Sequence, residues 1–208
     1  PKRLQRTATM DEGYRSPDGD EHEWSSVTIS APGAATHQGM VYAIQHPITG
    51  ELLYPPLGRC WSFGQAQMLE CMNEWTDYEL KIINDYEKRC EICGGDRGVP
   101  KEINAIMLKN SFETAQAEAL NRYNQGIKKE RPWPLLYFTA KGKGGLRRKQ
   151  YLDKSSGKVA TNLWPHIDVG HTGEAANELS AIFNGRSPFD TPKPVRLIER
   201  ILQIASDP

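Results

Sequence analysis

Apolar residues are sparse over the first forty positions of this chain, where Gly, Pro, Ser, Thr and acids dominate and Trp24 and Val27 are the main anchors. That pattern predicts an extended arm that packs against something else, since it has no continuous apolar face of its own. A short hairpin is predicted next, from Tyr42-Ala43-Ile44 through a Pro47-Ile48-Thr49-Gly50 turn to Leu52-Leu53-Tyr54. Pro55-Pro56 should end its second strand, because proline cannot donate to a ladder.

From Phe63 to Gly126 the spacing turns helical. Gln65 to Glu74 reads as a short helix. Thr76, with Glu79 three residues on, reads as a capping box. Behind it Leu80, Ile83, Tyr86, Cys90 and Cys93 recur every three or four positions, as on one helix face. Gly94-Gly95 is the expected stop. Ser111 should cap a third helix carrying Phe112, Ala115, Ala119 and Tyr123 on one side. Strand character returns at Leu135 to Thr139, Gln150 to Leu152 and Thr161 to Trp164, with a glycine-loosened basic loop, Lys141 to Lys149, after the first. Two helices close the pattern, Glu174 to Phe183 and Val195 to Ala205, the second entered through Pro192 and Pro194.

Composition adds bounds. The 208 residues suffice for one large domain or two small ones with a real core, and 38% apolar and 25% charged residues are ordinary for a globular protein. No run approaches a transmembrane helix, the start Pro1-Lys2-Arg3-Leu4 has no apolar signal core, and four cysteines without a secretory signal fit a reducing cytoplasm. The formal net charge is zero, which argues against a nucleic-acid partner until its distribution is considered. Asp11 to Glu23 carries six acids against Arg15, and Lys128 to Lys158 carries ten Lys or Arg against Glu130 and Asp153. Segregated charge of this kind either creates a local positive face that phosphates would meet or forms two solvated stretches.

Candidate chemistry is limited. Cys90-Glu91-Ile92-Cys93 is half of a zinc-ribbon spacing, but Cys60, Cys71 and the five histidines supply no second half, and both cysteines continue an apolar stripe. Core packing is therefore the expected role, with no metal. Gly142-Lys143-Gly144-Gly145 lacks the spaced glycines and Lys-Ser/Thr pair of a nucleotide phosphate loop. It suits a flexible loop presenting Lys141, Lys143, Arg147, Arg148 and Lys149 to a DNA backbone, or a solvated hairpin tip. Arg59-Cys60-Trp61 and Arg131-Pro132-Trp133 juxtapose cations with rings that could stack on bases, although Trp164 reads as structural. His166 and His171 read as satisfied structural imidazoles. The acids Asp18, Asp20, Glu21 and Glu23 could hold a divalent ion in a nuclease, but no lysine-bearing strand with nuclease spacing accompanies them, and a solvated or partner-facing loop is the expected role.

Several segments, in order, resemble one family. Tyr14-Arg15-Ser16-Pro17-Asp18-Gly19-Asp20 followed by Trp24 resembles a Tyr-x-Asn-Pro-Asp-x-Asp block. Pro47-Ile48-Thr49-Gly50 and Pro55-Pro56-Leu57-Gly58-Arg59-Cys60-Trp61 resemble Pro-x-Thr-Gly and Pro-Pro-x-Gly-Arg-x-Trp. Leu163-Trp164-Pro165-His166-Ile167-Asp168-Val169-Gly170-His171-Thr172 and Phe189-Asp190-Thr191-Pro192-Lys193-Pro194 complete the series. Together they resemble site-specific, adenine-specific DNA methyltransferases of the type III modification-subunit kind, with Asp77 to Asn110 as an insertion. Two departures stand out: Ser16 replaces an asparagine, and the Pro-Arg-Gly that precedes the tryptophan in the family is missing. The family's Asp-Pro-Pro-Tyr and Phe-x-Gly-x-Gly motifs are also absent from these residues.

The resemblance implies a target-recognition piece of an enzyme that extrudes an adenine and methylates its N6 with S-adenosylmethionine, the piece itself carrying no catalytic residue and being inactive alone. The expected fold is α+β: a small, mostly antiparallel sheet, a helical insertion and a C-terminal helical tail. Its expected segments are an acidic arm plus hairpin (1–63), the insertion (64–126), strands with the basic loop (127–172) and a helical tail leading toward a cofactor lobe (173–208). Arg59, Trp61, Lys141, Lys143, Arg147, Arg148 and Lys149 are the expected contacts to double-stranded DNA. By resemblance, Asp190, Thr191, Lys193 and Pro194 would border the cofactor's amino-acid end in the parent enzyme, the piece alone binding none. The rival readings are a module docking a restriction subunit or second methyltransferase protomer, and a metal-dependent nucleic-acid enzyme built on the acidic arm or the Cys pair.

Overall fold

The computed structural model describes residues 6, 8–152, 157, 159–186 and 188–206, without the side chains of Thr9 and Met10. Asp153, Lys154 and Lys158 of the basic stretch lie outside the described residues. In chain order the elements begin with α1 (Ala8–Asp11), β1 (Trp24–Thr28), β2 (Ser30–Pro32), β3 (Ile44–Gln45), β4 (Leu52–Leu53), β5 (Arg59–Trp61) and α2 (Gln65–Met72). There follow β6 (Tyr78–Ile82), α3 (Tyr86–Cys93), β7 (Asn104–Leu108), α4 (Phe112–Ile127), β8 (Leu136–Phe138) and β9 (Leu146–Tyr151). The last helices are α5 (His166–Val169), α6 (Thr172–Ile182) and α7 (Val195–Ala205). Helices with small, mostly antiparallel sheets make this an α+β fold.

The chain divides into two compact units, residues 13–154 and residues 1–12 with 155–208. The larger unit holds three small sheets, ordered β1-β9-β8, β2-β5 and β4-β3-β7-β6; β3 and β7 run parallel and every other pairing is antiparallel. Its main core gathers Trp24, Tyr42, Ile44, Trp61, Met68, Met72, Trp75, Ile106, Leu136 and Phe138. The polar ends of the buried rings are satisfied inside: Trp61 Nε1 donates to the Tyr42 carbonyl at 2.8 Å and Trp75 Nε1 to the Leu136 carbonyl at 2.8 Å. Indoles with both faces and the N–H engaged are fixed in one orientation, so they set the geometry of the strands around them.

The helix expected after Thr76 is not formed. Tyr78–Ile82 is a strand antiparallel to Asn104–Leu108, and only Tyr86–Cys93 is helical. Tyr78, Leu80 and Ile82 also fit a period of two, and the unanticipated strand β7 supplies the partner that decides between the two periods. Thr76 makes no capping box: its hydroxyl donates to Glu118 at 2.6 Å, while Asn73 Oδ1 accepts from the Tyr78 amide at 2.7 Å. Cys93 packs with Ile92, Cys60, Ala34, Val41 and Val99 in a second apolar cluster, with Cys90 against it. Ser111 does cap α4, accepting from the Thr114 amide at 3.3 Å.

In the smaller unit α6 and α7 form where the apolar spacing placed them. Residues Thr161 to Trp164 form no strand. His171 caps α6, its Nδ1 accepting from the Gly173 and Glu174 amides. Arg196 of α7 grips both Glu174 oxygens at 2.9 and 2.7 Å and donates to the Ile167 carbonyl at 2.8 Å, which joins α5, α6 and α7. Val195, Ile198, Ile201 and Leu202 lie exposed along α7. No helix among the described residues is long and apolar enough to cross a membrane.

Candidate nucleic-acid interface

The expected basic residues fall into two classes once β9 is seen to begin at Leu146. What the spacing suggested as a continuous loop to Lys149 is a tip, Thr139–Gly145, followed by a strand paired on both edges, to β1 and to β8. Strand alternation then sends neighbours to opposite faces. Lys149 sits opposite Ser26 and Arg147 opposite Thr28 on one face, while Arg148 points to the other, where its guanidinium lies 5.9 Å from the Phe63 ring centroid.

Lys149 is only 2% exposed, and its ammonium donates to Asp18 Oδ2 at 2.6 Å and Asp20 Oδ2 at 2.7 Å. Asp18, fully buried, also accepts from Trp24 Nε1 at 3.0 Å and from the Trp133 amide at 2.8 Å. Asp20 accepts from the Tyr151 hydroxyl at 3.0 Å. Burial works against the Asp20 charge, but the Lys149 ammonium, the His22 amide and Tyr151 outweigh it and hold the carboxyl below its ordinary range. The acidic arm and the basic stretch therefore meet inside the fold, and Lys149 cannot reach a phosphate without breaking that network. Trp61, 5% exposed with its indole N–H engaged, is likewise a core residue rather than an open stacking platform.

The remaining cations face outward or lie half-exposed. Arg147 donates through Nε to Ser26 Oγ at 2.7 Å and through Nη2 to the Ser26 carbonyl at 3.1 Å, which fixes the fork against β1. Arg59 is tethered similarly, with Nε on Ser30 Oγ at 2.9 Å and Nη2 on the Ser30 carbonyl. Lys141 and Lys143 stand exposed on the tip, and among the described residues their ammonium groups have no partner. The tip backbone is closed by Thr139, whose carbonyl accepts from the Gly142 amide at 3.0 Å and the Gly144 amide at 2.9 Å. Free ammonium groups on a short turn, beside a guanidinium held in a fixed plane, can donate charge-assisted hydrogen bonds to successive phosphates.

A second feature lies in the smaller unit. A groove of about 530 Å³ is lined by Leu179, Ile182, Phe189, Asp190, Thr191 and Lys193, with Glu178 and Val195 at its wall. Pro194 is buried at the start of α7, and Lys193 Nζ donates to the Thr191 carbonyl at 3.2 Å. Three of the four residues expected near a cofactor thus share one groove, with apolar, acidic and cationic walls. Among the described residues no three His, Cys, Asp or Glu side chains gather as a metal site would require.

One curated relative matches part of the chain. The chain is 38% identical over 74 residues to the type III restriction-modification enzyme StyLTI Mod subunit of Salmonella typhimurium strain LT2. That stretch is 35% of this chain and 11% of the relative, so the chain spans about a tenth of the length of the curated relative it matches. The match relates it to a type III Mod subunit. No protein-family model matches the chain, and no solved structure does.

Residue order alone missed four contributors. Asp18 and Asp20 were visible as acids but not as the partners of Lys149, since the pairing spans 131 and 129 residues. Ser26 carried no signal as the support of Arg147. His46 also went unnoticed, although a histidine immediately before a Pro-x-Thr-Gly turn is placed to accept that turn's amides.

Proposed function

We propose that the larger unit recognises double-stranded DNA as part of the target-recognition region of an adenine-N6 methyltransferase in a restriction-modification system. The observation that carries this reading is the Thr139–Gly145 tip, which holds Lys141 and Lys143 exposed, their ammonium groups without partners among the described residues, beside the Ser26-anchored Arg147. Unpaired cations on a backbone of fixed shape suit a polyanion of regular phosphate spacing, and the partial likeness to a Mod subunit supplies the class of polyanion. Lys141, Lys143 and Arg147 act on phosphates, with Arg148 and Arg59 at the margin. Lys149 and Trp61 have structural roles.

The groove of the smaller unit fits the amino-acid end of S-adenosylmethionine. Asp190 and Glu178 would meet its ammonium, Lys193 its carboxylate, and Phe189 and Ile182 its carbon chain. That cofactor supplies an electrophilic methyl group in the parent enzyme; the residues here bind and orient.

Fluorescence anisotropy of a labelled duplex, measured across salt concentrations, tests the DNA reading. The K141Q/K143Q/R147Q chain should bind more weakly, and its salt slope should fall by about 0.9 for each phosphate contact removed. Equal affinity and equal slope for this variant and the native chain would defeat the proposal.

A further inference from the structure

The tip that carries Lys141 and Lys143 has a backbone that its sequence does not favour. Ala140 (φ 48°) and Lys141 (φ 58°) both adopt left-handed conformations, followed by Gly142 (φ 84°). Residues with a Cβ resist this region, and two in succession persist only where the surroundings enforce them. The hydrogen bonds made by Thr139 close the tip upon itself but attach it to nothing else. Attachment comes from His46, which sits at the other end of the sequence-distant β3–β4 turn.

His46 is 1% exposed, with its ring 4.3 Å from that of Phe138. Its Nδ1 accepts from the Ile48 amide at 3.0 Å and the Thr49 amide at 3.2 Å. Two donors aimed at Nδ1 leave the ring proton on Nε2, and that N–H donates to the Gly144 carbonyl at 3.2 Å. The imidazole thus ties the turn to the tip with every ring atom capable of hydrogen bonding engaged. The neighbouring contact is equally close: a Cβ on Gly142 would lie 3.1 Å from Ile48 Cδ1 and 3.2 Å from Tyr123 Cδ2.

We propose that His46 is a positioning residue for DNA recognition, clamping the Thr139–Gly145 tip against the β3–β4 turn so that Lys141 and Lys143 meet phosphates in one pre-set geometry. The inference rests on the DNA reading of this tip. Its physical ground is that the unfavourable conformation of Lys141 is not offset by any contact of its ammonium among the described residues, whereas a pre-set cation binds phosphate with less ordering cost. The clamp works only while the ring is neutral, because a proton on Nδ1 would face two N–H donors. Burial lowers the affinity of the ring for that proton; the Gly144 carbonyl and the charge of Glu51, the charged group that bears on the ring among the described residues, work the other way. Below the ordinary histidine value of 6.5, as pH falls through the lower folded value, the tip should come loose.

His46→Phe and His46→Gln chains separate positioning from mere filling, since glutamine can both accept and donate. With a labelled duplex at neutral pH, His46→Phe should bind several-fold more weakly, with a salt slope lower by about 1.8, the value for two phosphate contacts. Adding K141Q/K143Q to His46→Phe should cost nothing further, and His46→Gln should restore part of the slope. Amide hydrogen exchange at Gly142 and Gly144, without DNA, should be slow in the native chain at neutral pH. It should quicken in His46→Phe, and in the native chain under acid before global unfolding. Native-like slope and tip protection in His46→Phe would overturn the clamp. Should both histidine variants fail to fold, the acid titration of the native chain decides: a tip protected until global unfolding overturns the proposal. If the native chain binds no duplex while exchange behaves as expected, the DNA reading fails and His46 is a structural clamp alone, which also overturns its role in recognition.

Discussion

The Lys149 ammonium lies 2.6 Å from Asp18 Oδ2, and neither side chain reaches solvent. A buried ion pair of this kind contributes little beyond what apolar packing would, yet removing one partner leaves the other charged and unsolvated. Here the loss would strand two carboxylates, since Asp20 shares the same ammonium. Lys149→Met should therefore destabilise the larger unit by about 3–5 kcal/mol in urea unfolding, whereas Arg148→Gln on the same strand should cost about 0.5 kcal/mol or less. Adding Asp18→Asn to Lys149→Met should recover part of the loss. A Lys149→Met chain as stable as the native one would mean that the network does not hold β9 to the arm.

Acid should dissolve the same network. The Asp20 carboxyl binds its proton less readily in the folded chain than its ordinary value of 3.8, so the unfolded chain takes up more protons as pH falls. The contribution is complete well above pH 3.8 and is lost as pH drops below that value through the folded one. Unfolding free energy measured between neutral pH and pH 3 should fall more steeply for the native chain than for Asp20→Asn. Parallel curves would remove Asp20 from the balance.

Gly126 offers a test in which two local rules oppose each other. It sits in the last turn of α4, where alanine should favour the helix by about 1 kcal/mol. A Cβ there would lie 2.2 Å from Trp133 Nε1, however, and Trp133 is stacked between Tyr123 at 5.1 Å and Tyr137 at 5.7 Å. Its N–H also donates to the Tyr123 carbonyl at 2.9 Å. The ring has no room to yield, so Gly126→Ala should destabilise by about 1–3 kcal/mol and shift the tryptophan fluorescence. A gain in melting temperature would show that the stack is soft.

Local signals in the sequence were legible where a single element decides its own conformation. Ser111 and the Phe112–Ala115–Ala119–Tyr123 spacing specified α4, the Pro192 and Pro194 entry specified α7, and the Pro47–Gly50 turn specified the β3–β4 hairpin. Elements decided by a distant partner were not legible. Leu80 fits both a helix face and a strand, and the pairing with β7 selects the strand. The site divided along the same line: Lys141 and Lys143 stand exposed on a glycine turn as their neighbours suggest. Lys149, the third residue of an Arg-Arg-Lys run, turns inward because two acids far back in the chain claim it. A basic run on a strand cannot be read as one surface, and that error carried Lys149 into the expected contact set. Trp61 joined it because an aromatic beside an arginine looks the same in sequence whether it stacks outward or fills a core.

Arg89 shows how one buried cation can hold a loop that has few apolar contacts. Its Nε donates to Asp85 Oδ1 at 2.7 Å, Nη1 to the Pro100 carbonyl at 2.7 Å and Nη2 to the Lys101 carbonyl at 3.0 Å. The fork spans from the first turn of α3 to the end of the glycine-rich segment that follows it, and Tyr54 adds a hydroxyl to Asp85 Oδ2 at 3.1 Å. Lysine would keep the charge but could not hold three acceptors in one plane. Arg89→Lys should therefore leave α4 and the three sheets intact while freeing residues 94–101, detected as new cleavage by trypsin after Arg97 or Lys101. Arg89→Ala should go further, costing about 3–5 kcal/mol because Asp85 is left buried without its cation. If Arg89→Lys resists trypsin as the native chain does, the two carbonyl contacts are dispensable and the loop is held by Val99 packing into the second apolar cluster.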